Sequence, residues 1–188
     1  MPRSDDVMKL PANLPVPADD GACAHLAGMR LPSLALPSTQ GGAVDLSKLP
    51  GRTVVYIYPR TGHPDREVPE GWNEIPGARG CTPQSCAFRD HHAELAALGA
   101  AVYGLSAQDT PYQQEAAERL HLPFPLLSDE GLAFQRALRL PTFGVAGMTL
   151  IKRITLIARE EAIEKVFYPV FPPDRNAAEV MAWLRGNK

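Results

Sequence analysis

The sequence predicts an α/β protein: a central mixed β-sheet flanked by helices. Three observations predict it: a continuous β-branched and aromatic run over residues 53–58, strands alternating with helices through the middle of the chain, and two β-rich runs separated by three residues near its end. At 188 residues, 45% hydrophobic and 21% charged, the chain suits one domain with a single sizeable core. Its formal net charge of −2, with Lys and Arg scattered, offers no basic stripe for phosphates, so nucleic acid is not an expected partner. No window reaches the roughly 18 apolar residues that cross a bilayer, and Met1-Pro2-Arg3-Ser4-Asp5-Asp6 lacks an apolar signal core. The expectation is a cytoplasmic protein with no membrane partner.

Residues 1–27 carry Pro2, Pro11, Pro15 and Pro17, which interrupt regular backbone donation, so this stretch reads as an extended arm lying on the domain or on a partner. Residues 28–188 then form the domain. Leu34-Ala35-Leu36 and Val44-Asp45-Leu46 flank Ser38-Thr39-Gln40-Gly41-Gly42, the signal of an N-terminal β-hairpin extension. The run 53–58, stopped by Pro59, suits a central strand covered on both faces. Pro64, Pro69, Pro76 and several glycines make residues 62–80 a long loop. From Pro83, Cys86, Phe88, Leu95 and Leu98 interleave with charged residues up to Gly99, which predicts one helix. A strand at 101–105, a helix at about 111–120, a short strand at 125–127 and a helix at about 130–138 follow. Residues 154–158 and 162–168, joined by Arg159-Glu160-Glu161, predict an antiparallel hairpin. A helix over about 174–185 ends the chain, with Met181, Trp183 and Leu184 on its apolar side. Parallel strands, a hairpin and a last helix make a thioredoxin-like order.

Three cysteines are too few for the disulfide framework of a small secreted domain. Cys23, in an Ala- and Gly-rich stretch, reads as a small apolar residue. Cys81 differs, because it precedes Thr82-Pro83 at a helix start and follows Arg79-Gly80. Free backbone N–H groups, the helix dipole and a nearby guanidinium all favour a thiolate there. The His91 and His92 pair invites a zinc reading with Cys81 and Cys86. A five-residue step turns a helix by about 140°, so these side chains diverge and no metal or other cofactor is expected. Adjacent Arg89 and Asp90 read as a structural ion pair.

Tyr58-Pro59-Arg60-Thr61 and Gly80-Cys81-Thr82-Pro83-Gln84-Ser85-Cys86-Ala87-Phe88-Arg89-Asp90 resemble the peroxidatic segment of the peroxiredoxin Q family, also called bacterioferritin comigratory protein. The resemblance runs from about Leu31 to Leu184, taking in Leu122-Pro123-Phe124-Pro125-Leu126-Leu127-Ser128-Asp129 and the Arg153-Ile154-Thr155-Leu156-Ile157 segment; the arm and the 62–80 loop lack counterparts. It implies a thiol peroxidase of hydrogen peroxide and organic hydroperoxides, in which Cys81 attacks the peroxide and becomes a sulfenic acid, and Cys86 resolves it as a disulfide. It further implies that Arg153 holds thiolate and peroxide through its donor fork, that Pro59 shields the pocket, and that a thioredoxin-like reductant recycles the enzyme. Two departures stand out. The family's threonine lies three residues before the cysteine, whereas here Thr61 is the only hydroxyl residue between Pro59 and Cys81. The family often has Glu three residues after the cysteine; Gln84 stands there and carries no charge to orient an arginine.

A thiol–disulfide relay or peroxide sensor could use the same two cysteines, although such proteins usually carry Cys-x-x-Cys and this spacing has four residues between. Monomer and homodimer both remain open. Trp72 and Ile75 are too large and apolar for the 62–80 loop to stand free in water, so it is expected to pack as a lid or an interface beside the pocket.

Overall fold

The structure, a computed structural model, describes residues 6–188, so the first five residues of the expected arm lie outside it. Residues 6–27 run as turns and extended chain with neither helix nor strand. In order, the elements are β1 (Leu36–Pro37), β2 (Ala43–Val44), β3 (Arg52–Ile57), α1 (Cys81–Asp90), α2 (His92–Ala97), β4 (Ala100–Ser106), α3 (Thr110–Arg119), β5 (Leu126–Ser128), α4 (Ala133–Leu138), β6 (Thr142–Val145), β7 (Met148–Ile151), β8 (Ile154–Arg159), β9 (Ala162–Phe167) and α5 (Asn176–Gly186). The main sheet has the order β5-β4-β3-β8-β9, with β3, β4 and β5 parallel and β8 and β9 antiparallel. This is the mixed α/β arrangement expected, and β1 and β2 form the expected hairpin.

The apolar run in β3 is continuous because both faces of the sheet are covered. Val55 and Ile57 face a core completed by Leu26, Leu46, Phe134 and Leu138, whereas Val54 and Tyr56 face one completed by Phe88, Leu95, Val180 and Leu184. Each such side chain contributes roughly 1.5–3 kcal/mol on full burial. Cys23 is 6% exposed and belongs to the first core, so the arm's inner end is part of the folded body.

Two elements depart from expectation. The predicted single helix is two, α1 and α2, separated at His91 (φ −101°, ψ 9°). The separation lets α1 pack on α5 and α2 pack on β4. A second hairpin, β6–β7, was not legible. Its turn residues Ala146 (φ 49°) and Gly147 (φ 75°) are both left-handed, the geometry that twisted hairpins require, but Ala-Gly is a weaker signal than Asn-Gly. Trp72, Val68 and Ile75 of the 62–80 segment pack against this hairpin through Phe143, Val145, Met148 and Leu150.

Candidate active site

The end of β3 and the start of α1 meet because α1 crosses the sheet face that carries Tyr56. Phe88, fully buried, stacks on Tyr56 with ring centroids 4.6 Å apart, and Tyr56 donates to Ser85 Oγ at 3.0 Å. These contacts hold the body of α1. Its first residue, Cys81, is 2% exposed and sits at the open N-terminus of the helix. The chain enters through Gly80 at φ 108°, a conformation that side chains strain, and a Cβ there would lie 2.3 Å from Pro173 Cγ. Gly80→Ala is therefore expected to lower stability by about 1–3 kcal/mol, read as a fall in the denaturant midpoint at unchanged slope. An unchanged midpoint would show that the neighbours yield freely.

Arg153, between β7 and β8, is 3% exposed and reaches the same point. Its Nη2 donates to Cys81 Sγ at 3.2 Å, to Ala78 O at 3.1 Å and to Arg79 O at 3.2 Å, while Nε donates to Gly77 O at 3.3 Å. Nη1 donates to Gln84 Oε1. The loop before Cys81 thus wraps the guanidinium. Gln84 in turn donates through Nε2 to Asn176 Oδ1 at 3.1 Å, which also accepts from Thr155 Oγ1 at 2.6 Å. The network that the sequence left open is thus a neutral one: Gln84, held by Asn176, meets the arginine as an uncharged hydrogen-bond acceptor.

Thr61 is fully buried, held by Gln108 Oε1, which accepts from its N at 3.1 Å and from its Oγ1 at 3.3 Å. Tyr112 donates to Thr61 O at 3.0 Å, and the Arg60 guanidinium stacks over the Tyr112 ring at 4.6 Å. Thr61 and Cys81 line one small cavity, with Thr82, Trp72, Arg79 and Tyr112 in its wall. Pro59 is buried at the end of β3 and does not itself line the cavity. Cys86 lies one and a half turns along α1, 8% exposed, also outside the lining. Burial raises its thiol above the ordinary value, the Arg89 guanidinium pulling the other way. All three cysteines are free thiols.

Cys81 thus shares the cavity with Thr61 and a hydrogen bond with Arg153, whereas Arg153, Cys86 and Pro59 are not among the residues lining that cavity. Gln108, Tyr112 and Asn176 were missed, because they come from separate connections and carry no local pattern. Thr82 was visible but unassigned; its Oγ1 is buried without a hydrogen-bond partner among the described residues. Arg79 turns toward the arm, donating to Asp6 O at 2.8 Å. Arg89 pairs with Asp90 at 2.8 Å and donates to Leu120 O at 2.8 Å, a packing role.

The Redoxin family pattern matches residues 26–181. Chloroplastic peroxiredoxin Q of Oryza sativa subsp. japonica is 33% identical over 184 residues, covering 93% of this chain and 76% of its own. The chain belongs to the peroxiredoxin Q type of the redoxin family. A putative peroxiredoxin bcp of Coxiella burnetii is 29% identical over 162 residues, covering 84% of this chain and 97% of its own. Among solved structures, peroxidoxin BcpB from Mycobacterium tuberculosis superposes with TM-score 0.69 at 26% identity, covering 86% of this chain and 97% of its own. Peroxiredoxin Q from Xanthomonas campestris shares the fold, with TM-score 0.67 at 23% identity over 87% of this chain and 99% of its own. The peroxiredoxin is thus a thiol peroxidase on a thioredoxin-like fold, taking a peroxide as substrate and a thiol as reductant. Among the described residues no helix is long and apolar enough to cross a membrane.

Proposed function

We propose that Cys81 is the peroxidatic cysteine, that Cys86 resolves it as an intramolecular disulfide, and that a thioredoxin-like dithiol restores both. The observation that carries this is a buried guanidinium whose acceptors, apart from the Cys81 sulfur, are all neutral. A buried cation is retained where a counter-charge forms, and the thiolate of Cys81 is the group placed to supply it. The thiolate attacks the nearer oxygen of ROOH, the O–O bond breaks, and RO⁻ leaves and takes up a proton, giving Cys–SOH and ROH. Arg153 stabilises the charge moving onto the leaving oxygen. Thr61 and Thr82 line the same cavity, the Thr61 hydroxyl donating to Gln108 and the buried Thr82 hydroxyl having no partner among the described residues. The Cys86 sulfur then attacks the sulfenic sulfur, expelling water, and a dithiol reduces the disulfide by exchange.

The second step requires α1 to open. Residues five apart on an intact helix rise about 7.5 Å and diverge by about 140°, whereas a disulfide needs Cα atoms within about 7 Å and converging side chains. Pro83 lacks an N–H and Gly80 supplies no side-chain cap, so the first turn is the weak end, whereas Phe88 anchors the last. Peroxide-treated protein is expected to lose two hydrogens in mass, to link Cys81 to Cys86 in a peptide map, and to exchange amides over residues 81–87 faster than the reduced form. Cys86→Ser should show none of these. Equal protection in both forms would refute the opening, and sulfenic or sulfinic acid without the disulfide would remove Cys86 as resolver.

A further inference from the structure

The Cys81 cavity is walled by two segments from outside the sheet and helices. One is the arm: Val7 lines the cavity, Arg79 donates to Asp6 O at 2.8 Å and to Lys9 O at 3.4 Å, and Leu10 Cδ2 packs 2.8 Å from where a Gly80 Cβ would lie. The other is the 62–80 segment, which contributes Val68, Pro69 and Trp72 and is fixed by Trp72, 4% exposed, on Phe143 with ring centroids 6.1 Å apart. Between them the cavity leaves only about 20 Å³ for the centre of a water-sized molecule. That space holds one or two waters, the size of the O–O group itself, so a bulky substituent has to project past the lining residues toward solvent. A larger apolar cavity of about 290 Å³ lies nearby, lined by Ile75, Phe143 and Val170, but it touches Arg153 and neither Cys81 nor Thr61. The Redoxin match begins at residue 26, so the Val7 wall lies outside the part of the chain that the family pattern covers.

We propose that the arm around Val7 and the 62–80 segment form a two-part lid that makes this peroxidase selective for hydrogen peroxide over bulky organic hydroperoxides. The proposal rests on the peroxidase reading of the same cavity and names its substrate. Discrimination comes from steric exclusion, because ground-state binding of so small a substrate offers little else to distinguish it. Val7 and Val68 line the cavity from the two segments, and the Arg79 contacts hold the arm against it.

The test is stopped-flow oxidation of Cys81 by hydrogen peroxide and by cumene hydroperoxide, in the full chain, in a variant lacking residues 1–12 and in Val7→Ala. The full chain is expected to favour hydrogen peroxide by at least about tenfold in second-order rate constant. The truncation and Val7→Ala should each shrink that ratio about tenfold, the low end of the scale at which one methylene in a pocket wall acts. A ratio near one in the full chain, or the same ratio in a folded truncation and in Val7→Ala, overturns the lid while leaving the peroxidase intact. If neither peroxide oxidises Cys81 faster than free cysteine, the peroxidase reading falls and the lid with it. The single substitution keeps the result decisive should the truncated chain fail to fold.

Discussion

Cys81→Ser is expected to abolish peroxide consumption, a fall of more than about 10³-fold, while Cys23→Ser keeps the activity per folded molecule. The reason is chemical as well as positional. A serine hydroxyl is a poor nucleophile beside a thiolate, and its oxygen does not take up the oxygen atom that sulfur accepts in becoming a sulfenic acid. Cys81 combines a helix N-terminus with an Arg153 donor at 3.2 Å, so negative charge on its sulfur has two sources of stabilisation. Cys23 has the opposite surroundings. Burial first, and Asp20 and Asp19 next, push its thiol up to about 12, which keeps it protonated at neutral pH. Its replacement places a hydroxyl in the core that holds Leu26 and Ile163, at about 1–3 kcal/mol of stability. Peroxide consumption with a dithiol reductant and a thermal scan check both halves. Activity surviving in the Cys81 variant would sink the assignment.

Arg153→Lys is expected to slow Cys81 oxidation by about 10²–10³-fold, equivalent to about 2.7–4 kcal/mol in the barrier. An ammonium is a single point with three donors, whereas the guanidinium uses a planar fork to reach Gly77 O, Ala78 O, Arg79 O, Gln84 Oε1 and Cys81 Sγ together. The lysine keeps the charge, so the loss measures geometry. It also releases carbonyls that now accept from Arg153, loosening the loop that delivers Gly80 and Cys81. Stopped-flow rates across a range of peroxide concentrations give the second-order rate constant, and an unaltered value would remove Arg153 from the site.

Much of the fold was readable because local rules dominate there. The run in β3 is apolar at every position because two cores press on it, and continuity of that kind survives any change of neighbours. Residues 154–158 and 162–168 carry their own pairing signal, and β8 and β9 form as expected. The break at His91 and the β6–β7 hairpin were hidden for a shared reason. Each answers to packing, of α2 on β4 and of Trp72 on Phe143, that no window of sequence contains.

The site divides the same way. Cys81, Cys86, Thr61 and Arg153 could be named from sequence, since a helix start after Arg-Gly and a matching motif are local facts. What those residues meet could not. Gln84 is placed by Asn176, 92 positions away, which accepts from its amide, and Thr61 gains its orientation from Gln108, 47 positions on. By itself, then, the sequence determined the α/β class and the family, because propensity, periodicity and short motifs are written in neighbouring residues. Only the tertiary structure decided the arginine's neutral cradle, the two walls over Cys81 and the size of the space they leave. Those depend on distances between segments far apart in the chain, and such distances are set by the packing of the whole core.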